Sequence, residues 1–366
     1  MYITNEWELR HLAMQNGENL RKKLAWVFIF ILVAAASVWA VANQSDDFTV
    51  TNFIKYISNA SPIYMMSAVL CMIGYICFEG CALLYLARSF GYNVSFRRTI
   101  VYSASDIYVS AITPSASGGQ PAAAYFMFKD GIPVAVSSVI LFFNISVYAV
   151  TILTLNILAL IIRPEIFFGF DGIYRLLILF GFFTQTAIVT FFIIVIKFER
   201  LVEWACSLVI SILCKIRLVK NREKAEKRIN QSLDEYRTCA KMLANKKGIL
   251  PPVLLFNFLQ RMSLISVIMF TYLATHGGDW SKALDVWFTQ AHVFLGANSI
   301  PIPGAVGVTD ALILNGFRHI TNSLAEFELL GRSVSFYFCV LICGIIMFAA
   351  YINIKRRVKR RDLKKR

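Results

Sequence analysis

Four charged side chains lie inside otherwise apolar stretches, and they are the residues of this sequence best suited to chemistry. Glu79 and Arg261 interrupt two long apolar runs, while Asp106 and Asp310 lie in shorter ones. A charge in hydrocarbon is costly, so each of the four is a functional candidate. A guanidinium can bind a lipid phosphate through two parallel hydrogen bonds, and a carboxylate can take up a proton or bind an ammonium headgroup. The pattern predicts a polar site for an ionic ligand within a membrane; capping of a local helix is the alternative role of the two aspartates.

Glu79 and Arg261 lie at similar depths in their runs. Glu79 is eight residues from the basic end of its run, about 12 Å deep, and Arg261 is ten residues into its own, about 15 Å deep, at ~1.5 Å per residue. We expect the two side chains either to pair or to line one polar cavity. A buried ion pair that only fixes the helix bundle is the alternative. Uncharged polar residues expected to face the same interior are Gln260, Thr289, Gln290 and Asn298.

Two segments rich in glycine and proline interrupt the apolar pattern: TPSASGGQP at Thr113–Pro121 and PIPGAVGVTD at Pro301–Asp310. Such residues break helices, and backbone N–H and C=O groups that are left unpaired at membrane depth need hydrogen-bond partners from protein or water. Pro121 suits the first position of a helix, so the first segment predicts a helix N-terminus whose free N–H groups could receive an anion. Two ordinary loops outside the membrane are the alternative. The candidate site residues of these segments are Thr113, Ser115, Ser117, Gly118, Gly119, Gln120, Pro303, Gly304, Gly307 and Asp310.

Long apolar runs must position these residues. The chain is 57% hydrophobic and 16% charged, more apolar and less charged than a soluble domain, so we expect a polytopic membrane protein. The first run resembles a signal peptide, but its apolar core is too long for one, and we interpret it as an uncleaved span. Runs near the ~20 residues that cross a bilayer occur at Leu24–Ala42, Pro62–Ala87, Ile132–Ile162, Ile173–Lys197, Pro251–Thr275 and Ser333–Ile354.

The distribution of lysine and arginine predicts the orientation. Basic residues crowd into Arg21–Lys23, the loop 198–250 and the tail 355–366, which places all three on the cytoplasmic side. We therefore expect a cytoplasmic N-terminal segment over residues 1–23, a transmembrane domain over 24–354 and a basic cytoplasmic tail over 355–366. Two shorter apolar segments, Val101–Phe128 and Ala283–Phe317, must then return to the side on which they start.

This topology predicts an internal symmetry. In each half a span, a re-entrant segment and a second span follow one another, and every direction is reversed between the halves. The expected fold is therefore an all-α polytopic membrane protein, an inverted-topology repeat with two re-entrant segments whose helices are broken by glycine and proline. In secondary transporters, segments interrupted in this way at corresponding places of two halves mark the substrate site.

The sequence lacks the common motifs for nucleotides, metals and hydrolytic catalysis. No GxxxxGK[ST], GxSxG, HExxH or CxxC pattern occurs, and the four histidines have no metal-ligand spacing. The basic clusters flank apolar runs without interleaved aromatic residues, which favours anionic lipid over nucleic acid as a partner. We expect no catalytic residues, no cofactor, no metal site and no nucleic-acid partner.

The pattern PxxxGGxP at Pro114–Pro121, the pattern PxPGxxGxxD at Pro301–Asp310 and the order of spans around them resemble a known family. They are similar to the transmembrane region of the lysylphosphatidylglycerol synthases, the multiple peptide resistance factor family, and to stand-alone flippase-like proteins built from that region. Asp310 stands where the family often has glutamate. The resemblance implies a lipid flippase of a bacterial cytoplasmic membrane, which moves lysyl-phosphatidylglycerol or another phospholipid between leaflets and contributes to antimicrobial peptide resistance.

The same resemblance leaves a second function open. In the full-length synthases a soluble C-terminal domain makes the aminoacylated lipid from lysyl-tRNA, whereas here a basic tail of twelve residues follows Ile354. We therefore expect a transporter rather than an enzyme. The alternative is a membrane component of phosphatidylglycerol lysyltransferase that acts with a separately encoded synthase. The expected partners are anionic or aminoacylated phospholipids, and a homo-oligomer is open.

Overall fold

The computed structural model describes residues 49–113, 116–197 and 247–364, and every regular element in these ranges is a helix. The helices before the basic loop are α1 (Val50–Ser58), α2 (Pro62–Ser89), α3 (Phe96–Ile112), α4 (Gly119–Lys129), α5 (Val134–Ile162), α6 (Pro164–Gly169) and α7 (Gly172–Lys197). Those after it are α8 (Leu250–Thr275), α9 (Ala283–Ala297), α10 (Val308–Phe317), α11 (Leu324–Arg332) and α12 (Cys339–Lys364), with short 3₁₀ turns at Lys247–Ile249 and Pro303–Ala305.

Within the described residues, five helical segments are long and apolar enough to cross a membrane. They confirm the predicted runs that begin near Pro62, Ile132, Ile173, Pro251 and Ser333, so the protein is an all-α, multi-pass membrane protein. The predicted run Leu24–Ala42 and most of the loop 198–250 lie outside the described residues. The five segments are Pro62–Ser89, Val134–Ile162, Gly172–Ile194, Leu250–Thr275 and Leu324–Arg356.

The last span starts earlier than its hydropathy predicts. The amphipathic helix α11 continues through a π-helical turn, Ser333–Phe338, directly into α12. Such π turns occur frequently at functional sites, because they turn side chains out of the regular helical register. The helix then runs on to Lys364, so most of the predicted tail 355–366 extends the last span as a helix.

Both glycine- and proline-rich segments separate two short helices. The first break lies between α3 and α4, and the second, which contains the 3₁₀ turn, lies between α9 and α10. These helices have 17, 11, 15 and 10 residues. At ~1.5 Å per residue none of them reaches the ~30 Å thickness of the hydrocarbon core. The two helices of each pair pack against each other.

The paired helices pack against the long ones around a common interior. Helix α2 packs along α8, and α3 packs against α2, α4 and α12. Helix α9 packs against α5, α7, α8 and α10. Buried apolar side chains fill most of these interfaces, among them Leu83, Tyr102, Val267 and Leu312. The spans thereby bring both helix breaks to one interior cavity.

Candidate functional site

A cavity of about 670 Å³ lies where the two interrupted segments meet α2, α5, α7, α8 and the π turn. This volume is within the range of roughly 300–1,000 Å³ that is usual for small-ligand sites. Several residues of the predicted site line it, and they come from both halves of the chain. These residues are Glu79, Asp106, Ser117, Gln120, Gln260, Arg261 and Gly304.

Other predicted site residues surround the cavity without lining it: Thr113, Gly118, Gly119, Pro303, Gly307 and Asp310. Thr113 supports the first break, because its hydroxyl donates to the Val109 carbonyl (2.7 Å) and accepts from the Gly118 N–H (3.0 Å). Ser115 lies outside the described residues. Of the uncharged candidates, Gln290 and Asn298 line the cavity, whereas the Thr289 hydroxyl donates to the Asp285 carbonyl within its own helix.

Glu79 and Asp106 form a carboxyl pair at one side of the cavity. The Glu79 Oε2 atom accepts hydrogen bonds from Ser103 Oγ (3.0 Å) and Gln260 Nε2 (3.1 Å). Both carboxyl groups are buried, with 5% and 9% of the residue exposed, and they interact with each other. Among the described residues, no lysine, arginine or histidine nitrogen lies within 4.0 Å of either carboxyl group.

Asp106 lies against the first turn of α4. Its Oδ1 atom accepts from Ser110 Oγ (3.1 Å) and its Oδ2 atom from Gln120 Nε2 (2.7 Å). A Cβ atom at Gly119 would overlap both Asp106 Oδ1 and Ser110 Oγ, so only glycine allows α4 to approach this closely. The helix N-terminus that the sequence predicts as an anion site therefore has a carboxyl group of the protein itself beside it.

Arg261 extends from α8 into a cluster of aromatic rings. Its guanidinium carbon lies 4.1 Å from the centroid of the Tyr148 ring, 5.1 Å from that of Tyr75 and 5.4 Å from that of Phe294. Only 3% of the residue is exposed, and its Nε atom has no hydrogen-bond partner in the described part of the chain. Ring faces attract a cation without neutralising its charge. Of the two predicted arrangements of Glu79 and Arg261, the structure has the shared cavity and not the direct ion pair.

A second charged cluster lies behind the other break. The Arg332 Nε atom is 3.1 Å from Asp310 Oδ1 and 3.9 Å from Glu328 Oε1, and its guanidinium stacks over the Phe336 ring. The other oxygen of Asp310 accepts the N–H of Gly307 (2.9 Å), which caps α10. Arg332 lines the cavity, whereas Asp310 and Glu328 do not. Asp310 is thus both a helix cap, as the alternative interpretation expects, and the partner of an arginine.

Sequence reasoning missed Glu328, Arg332 and the aromatic residues around Arg261. Arg332 lies one residue before the apolar run that begins at Ser333. An acidic residue four positions earlier, Glu328, was the sequence feature that could have indicated an ion pair.

Asn144 was detectable as an amide within an apolar run. Its Oδ1 atom accepts a hydrogen bond from Asn257 Nδ2 (2.9 Å), and it lines the cavity. Tyr75, Tyr148 and Phe294 gave no signal, because aromatic residues make up 14% of the chain.

The second break owes its shape to a glycine with left-handed backbone. Gly304 has φ +61°, and a Cβ atom there would overlap the Phe336 ring from the π turn. The close approach seats the 3₁₀ turn against the ring that also covers Arg332. Each break therefore contains a glycine at a close contact with a neighbouring side chain: Gly119 against Asp106, and Gly304 against Phe336.

Outside the membrane-spanning helices, a polar contact joins the α6–α7 connection to the end of α10. The Asp171 carboxylate accepts hydrogen bonds from Asn315 and from Arg318, which also donates to the Gly169 carbonyl (3.1 Å). The hydrogen bond from Arg318 holds the pKa of Asp171 below its usual value, with a further contribution from Asn315. Throughout the described ranges, no three histidine, cysteine or acidic side chains are grouped to hold a metal ion.

Comparison with known proteins identifies the family. The family described as "Lysylphosphatidylglycerol synthase TM region" matches residues 26–343, which is most of the chain. None of the curated proteins matches the chain significantly. The match includes both interrupted segments, the cavity and the charged residues around it. The chain belongs to the lysylphosphatidylglycerol synthase transmembrane family.

Proposed function

We propose that this member of the lysylphosphatidylglycerol synthase transmembrane family is a lipid flippase. It moves the phosphodiester headgroup of a phospholipid, such as lysyl-phosphatidylglycerol or phosphatidylglycerol, through the interior cavity while the acyl chains stay in the bilayer. We also propose that it does so in a bacterial cytoplasmic membrane, with both chain termini on the cytoplasmic side.

The state of Arg261 is the observation that carries the proposal. A guanidinium buried at membrane depth is ordinarily paired with a carboxylate or with backbone carbonyls. Here it has aromatic rings on several sides and no carboxylate oxygen within 4.0 Å among the described residues. A lipid phosphate in the cavity would supply the missing counter-charge, in the bidentate geometry that guanidinium favours.

The interrupted helices support movement of that headgroup. The four helices around the breaks are too short to span the hydrocarbon core, and both breaks contact the cavity. We interpret them as re-entrant segments of an inverted repeat, which enter from opposite faces. In transporters of this kind the two halves rock around a central site and open it to each side in turn.

Lipid translocation in proteoliposomes tests the proposal. Fluorescent phosphatidylglycerol is placed in both leaflets, and a membrane-impermeant reductant bleaches the outer leaflet. Wild-type protein should expose the inner pool over time, and Arg261→Ala should slow this by about 10- to 100-fold, since a hydrogen bond to a charged group is worth roughly 1.5–3 kcal/mol. Arg318→Ala, which removes an arginine outside the cavity, is the matched control and should translocate at the wild-type rate.

Two outcomes would contradict this function. Protein-free rates with folded wild-type protein would favour the second candidate, a membrane component that acts beside a separate synthase. Wild-type rates with Arg261→Ala would place the headgroup elsewhere in the molecule. Parallel assays with lysyl-phosphatidylglycerol, and with a polyprenyl phosphate that has no phosphodiester, would identify which class of lipid is moved.

A further inference from the structure

We propose that the carboxyl pair Glu79 and Asp106 takes up one proton each time an anionic headgroup binds at Arg261, so that the anion and the proton move together. This inference rests on the proposed function and adds its driving ion. The anion brings one negative charge into the cavity and the proton brings one positive charge. Their joint transfer therefore moves no net charge across the membrane.

The surroundings of the pair favour a bound proton. Two carboxylates in contact cannot both stay ionised in a buried site unless a cation neutralises one of them. The donors to these carboxyl groups are neutral: the hydroxyls of Ser103 and Ser110 and the side-chain amides of Gln120 and Gln260. When an anion neutralises Arg261, a proton held between the two carboxyl groups supplies the missing positive charge.

Arg261 connects this proton to the anion. Its charge acts on both carboxyl groups across the cavity, although it does not contact them directly. Without an anion, Arg261 stabilises the ionised form of the pair, and the proton leaves to the water of the cavity. When a phosphate neutralises Arg261, the ionised form loses that support and the pair takes up a proton. By thermodynamic reciprocity, protonation of the pair must strengthen anion binding by the same factor.

Other titratable groups of the described residues also line the cavity beside the pair. From α2, α5 and α12 these are the phenols of Tyr75 and Tyr148 and the thiol of Cys339, all of which line the cavity. A phenol ordinarily ionises near pH 10, about three units above neutrality, so the two tyrosines keep their protons at neutral pH. In the part of the chain that the structure describes, the other charged group that lines the cavity is Arg332, which pairs with Asp310.

The carboxyl pair Glu79 and Asp106 differs from the pair Glu328 and Asp310 in its contact with the cavity. Glu79 and Asp106 line the cavity, so their proton can exchange with its contents. Glu328 and Asp310 lie behind Arg332 and do not line it. Glu328 is therefore a matched control: it is a buried glutamate next to an aspartate, outside the proposed path of the proton.

Binding of short-chain phosphatidylglycerol to the detergent-purified protein, measured from about pH 5 to about pH 9, tests the inference, because buried carboxyl groups can titrate as high as about pH 8–9. The phosphodiester keeps one negative charge throughout this range, so any pH dependence comes from the protein. We expect affinity to rise by up to about tenfold for each unit of falling pH, and uptake of up to about one proton per lipid in weakly buffered solution.

Substitutions locate the proton. Glu79→Gln keeps the shape of the protonated side chain and should bind lipid with pH-independent affinity and without proton uptake. Asp106→Asn should also bind lipid with pH-independent affinity and without proton uptake. It serves as the test variant if Glu79→Gln fails to fold. Glu328→Gln should retain the wild-type pH dependence.

The outcomes distinguish this inference from the function it rests on. Lipid binding by wild-type protein with no pH dependence and no proton uptake would overturn the coupling and leave the flippase intact. An unchanged pH dependence in both Glu79→Gln and Asp106→Asn would overturn it in the same way. No lipid binding by folded protein at any pH would overturn the proposed function and this inference together.

Discussion

Two clusters of the same composition border the cavity, and their arrangements differ. Each contains a glutamate, an aspartate and an arginine: Glu79, Asp106 and Arg261 in one, and Glu328, Asp310 and Arg332 in the other. In the second cluster the arginine contacts the aspartate directly, at 3.1 Å. In the first, aromatic rings hold the arginine while the carboxyl groups bind neutral donors and each other.

This difference separates a structural role from a binding role. When an arginine is paired with a carboxylate, the carboxylate already neutralises its charge, so it attracts an anionic ligand only weakly. Substitution of that arginine leaves the carboxylate buried without a counter-charge. An arginine held by ring faces keeps its charge available and is positioned at the same time. The same three residue types can therefore form either a structural ion pair or an anion-binding site.

The largest expected effect on stability comes from breaking the second cluster. Arg332→Ala leaves Asp310 and Glu328 buried without their cation, and loss of one partner of a buried ion pair costs about 3–5 kcal/mol. We expect a marked loss of monodisperse protein when detergent-purified samples are heated. Arg332→Lys, which keeps the charge, should recover part of the stability; wild-type stability in Arg332→Ala would show that the pair is not structural.

Arg261→Ala should give the opposite pattern. Removing the guanidinium breaks no direct ion pair among the described residues and forfeits its contacts with the aromatic rings, which are worth up to about 2 kcal/mol, whereas headgroup transport should fall about 10- to 100-fold. Heating of the purified protein and translocation in proteoliposomes would be measured on the same preparation. If Arg261→Ala destabilised the protein as much as Arg332→Ala, the contrast between the clusters would be lost.

Gly119→Ala sharpens the comparison at the first break. The added methyl overlaps the Asp106 carboxyl and the Ser110 hydroxyl, and overpacking of this kind costs about 1–3 kcal/mol. We expect displacement of Asp106 to weaken the pH dependence of lipid binding as well. Gly172→Ala, at a glycine with open space around its Cα atom, is the control and should leave both properties unchanged.

We expect the smallest effect on stability at the solvent-exposed contact between Asp171 and Arg318. Asp171 has a lowered pKa because Arg318 hydrogen-bonds to its ionised form. A lowered folded-state pKa contributes stability above the unfolded value of about 3.9, and this contribution is lost as the pH falls through the folded-state pKa. Thermal unfolding of Asp171→Asn should therefore lose a small acid-dependent component below about pH 4. An equal acid response in wild type and Asp171→Asn would show that the contact contributes nothing measurable.

Hydropathy and helix-breaking residues were sufficient to predict most of the described architecture. The spans around Glu79 and Arg261 and the breaks at Thr113 and Pro303 follow from local composition, because hydrocarbon admits few alternatives to an apolar helix. The inverted direction of the two halves was predicted from charge and stays a proposal.

The arrangement of the site depends on tertiary contacts that local composition does not encode. Asp106 was a candidate, but only the approach of Gly119 shows that its carboxyl group lies at the start of α4. Arg332 was missed because it lies one residue outside an apolar run, and its partner Asp310 comes from another helix. The rings around Arg261 could not be chosen from sequence, since each comes from a different helix.

A cryo-electron microscopy structure of the protein in lipid nanodiscs containing phosphatidylglycerol would test the central claim most directly. Both arginines line the same cavity and so offer alternative positions for the phosphate. We predict phosphate density against the Arg261 guanidinium, among the rings of Tyr75, Tyr148 and Phe294, with the Arg332–Asp310 contact intact. Phosphate density at Arg332, or a fully formed Arg261–Glu79 ion pair with no lipid in the cavity, would contradict it.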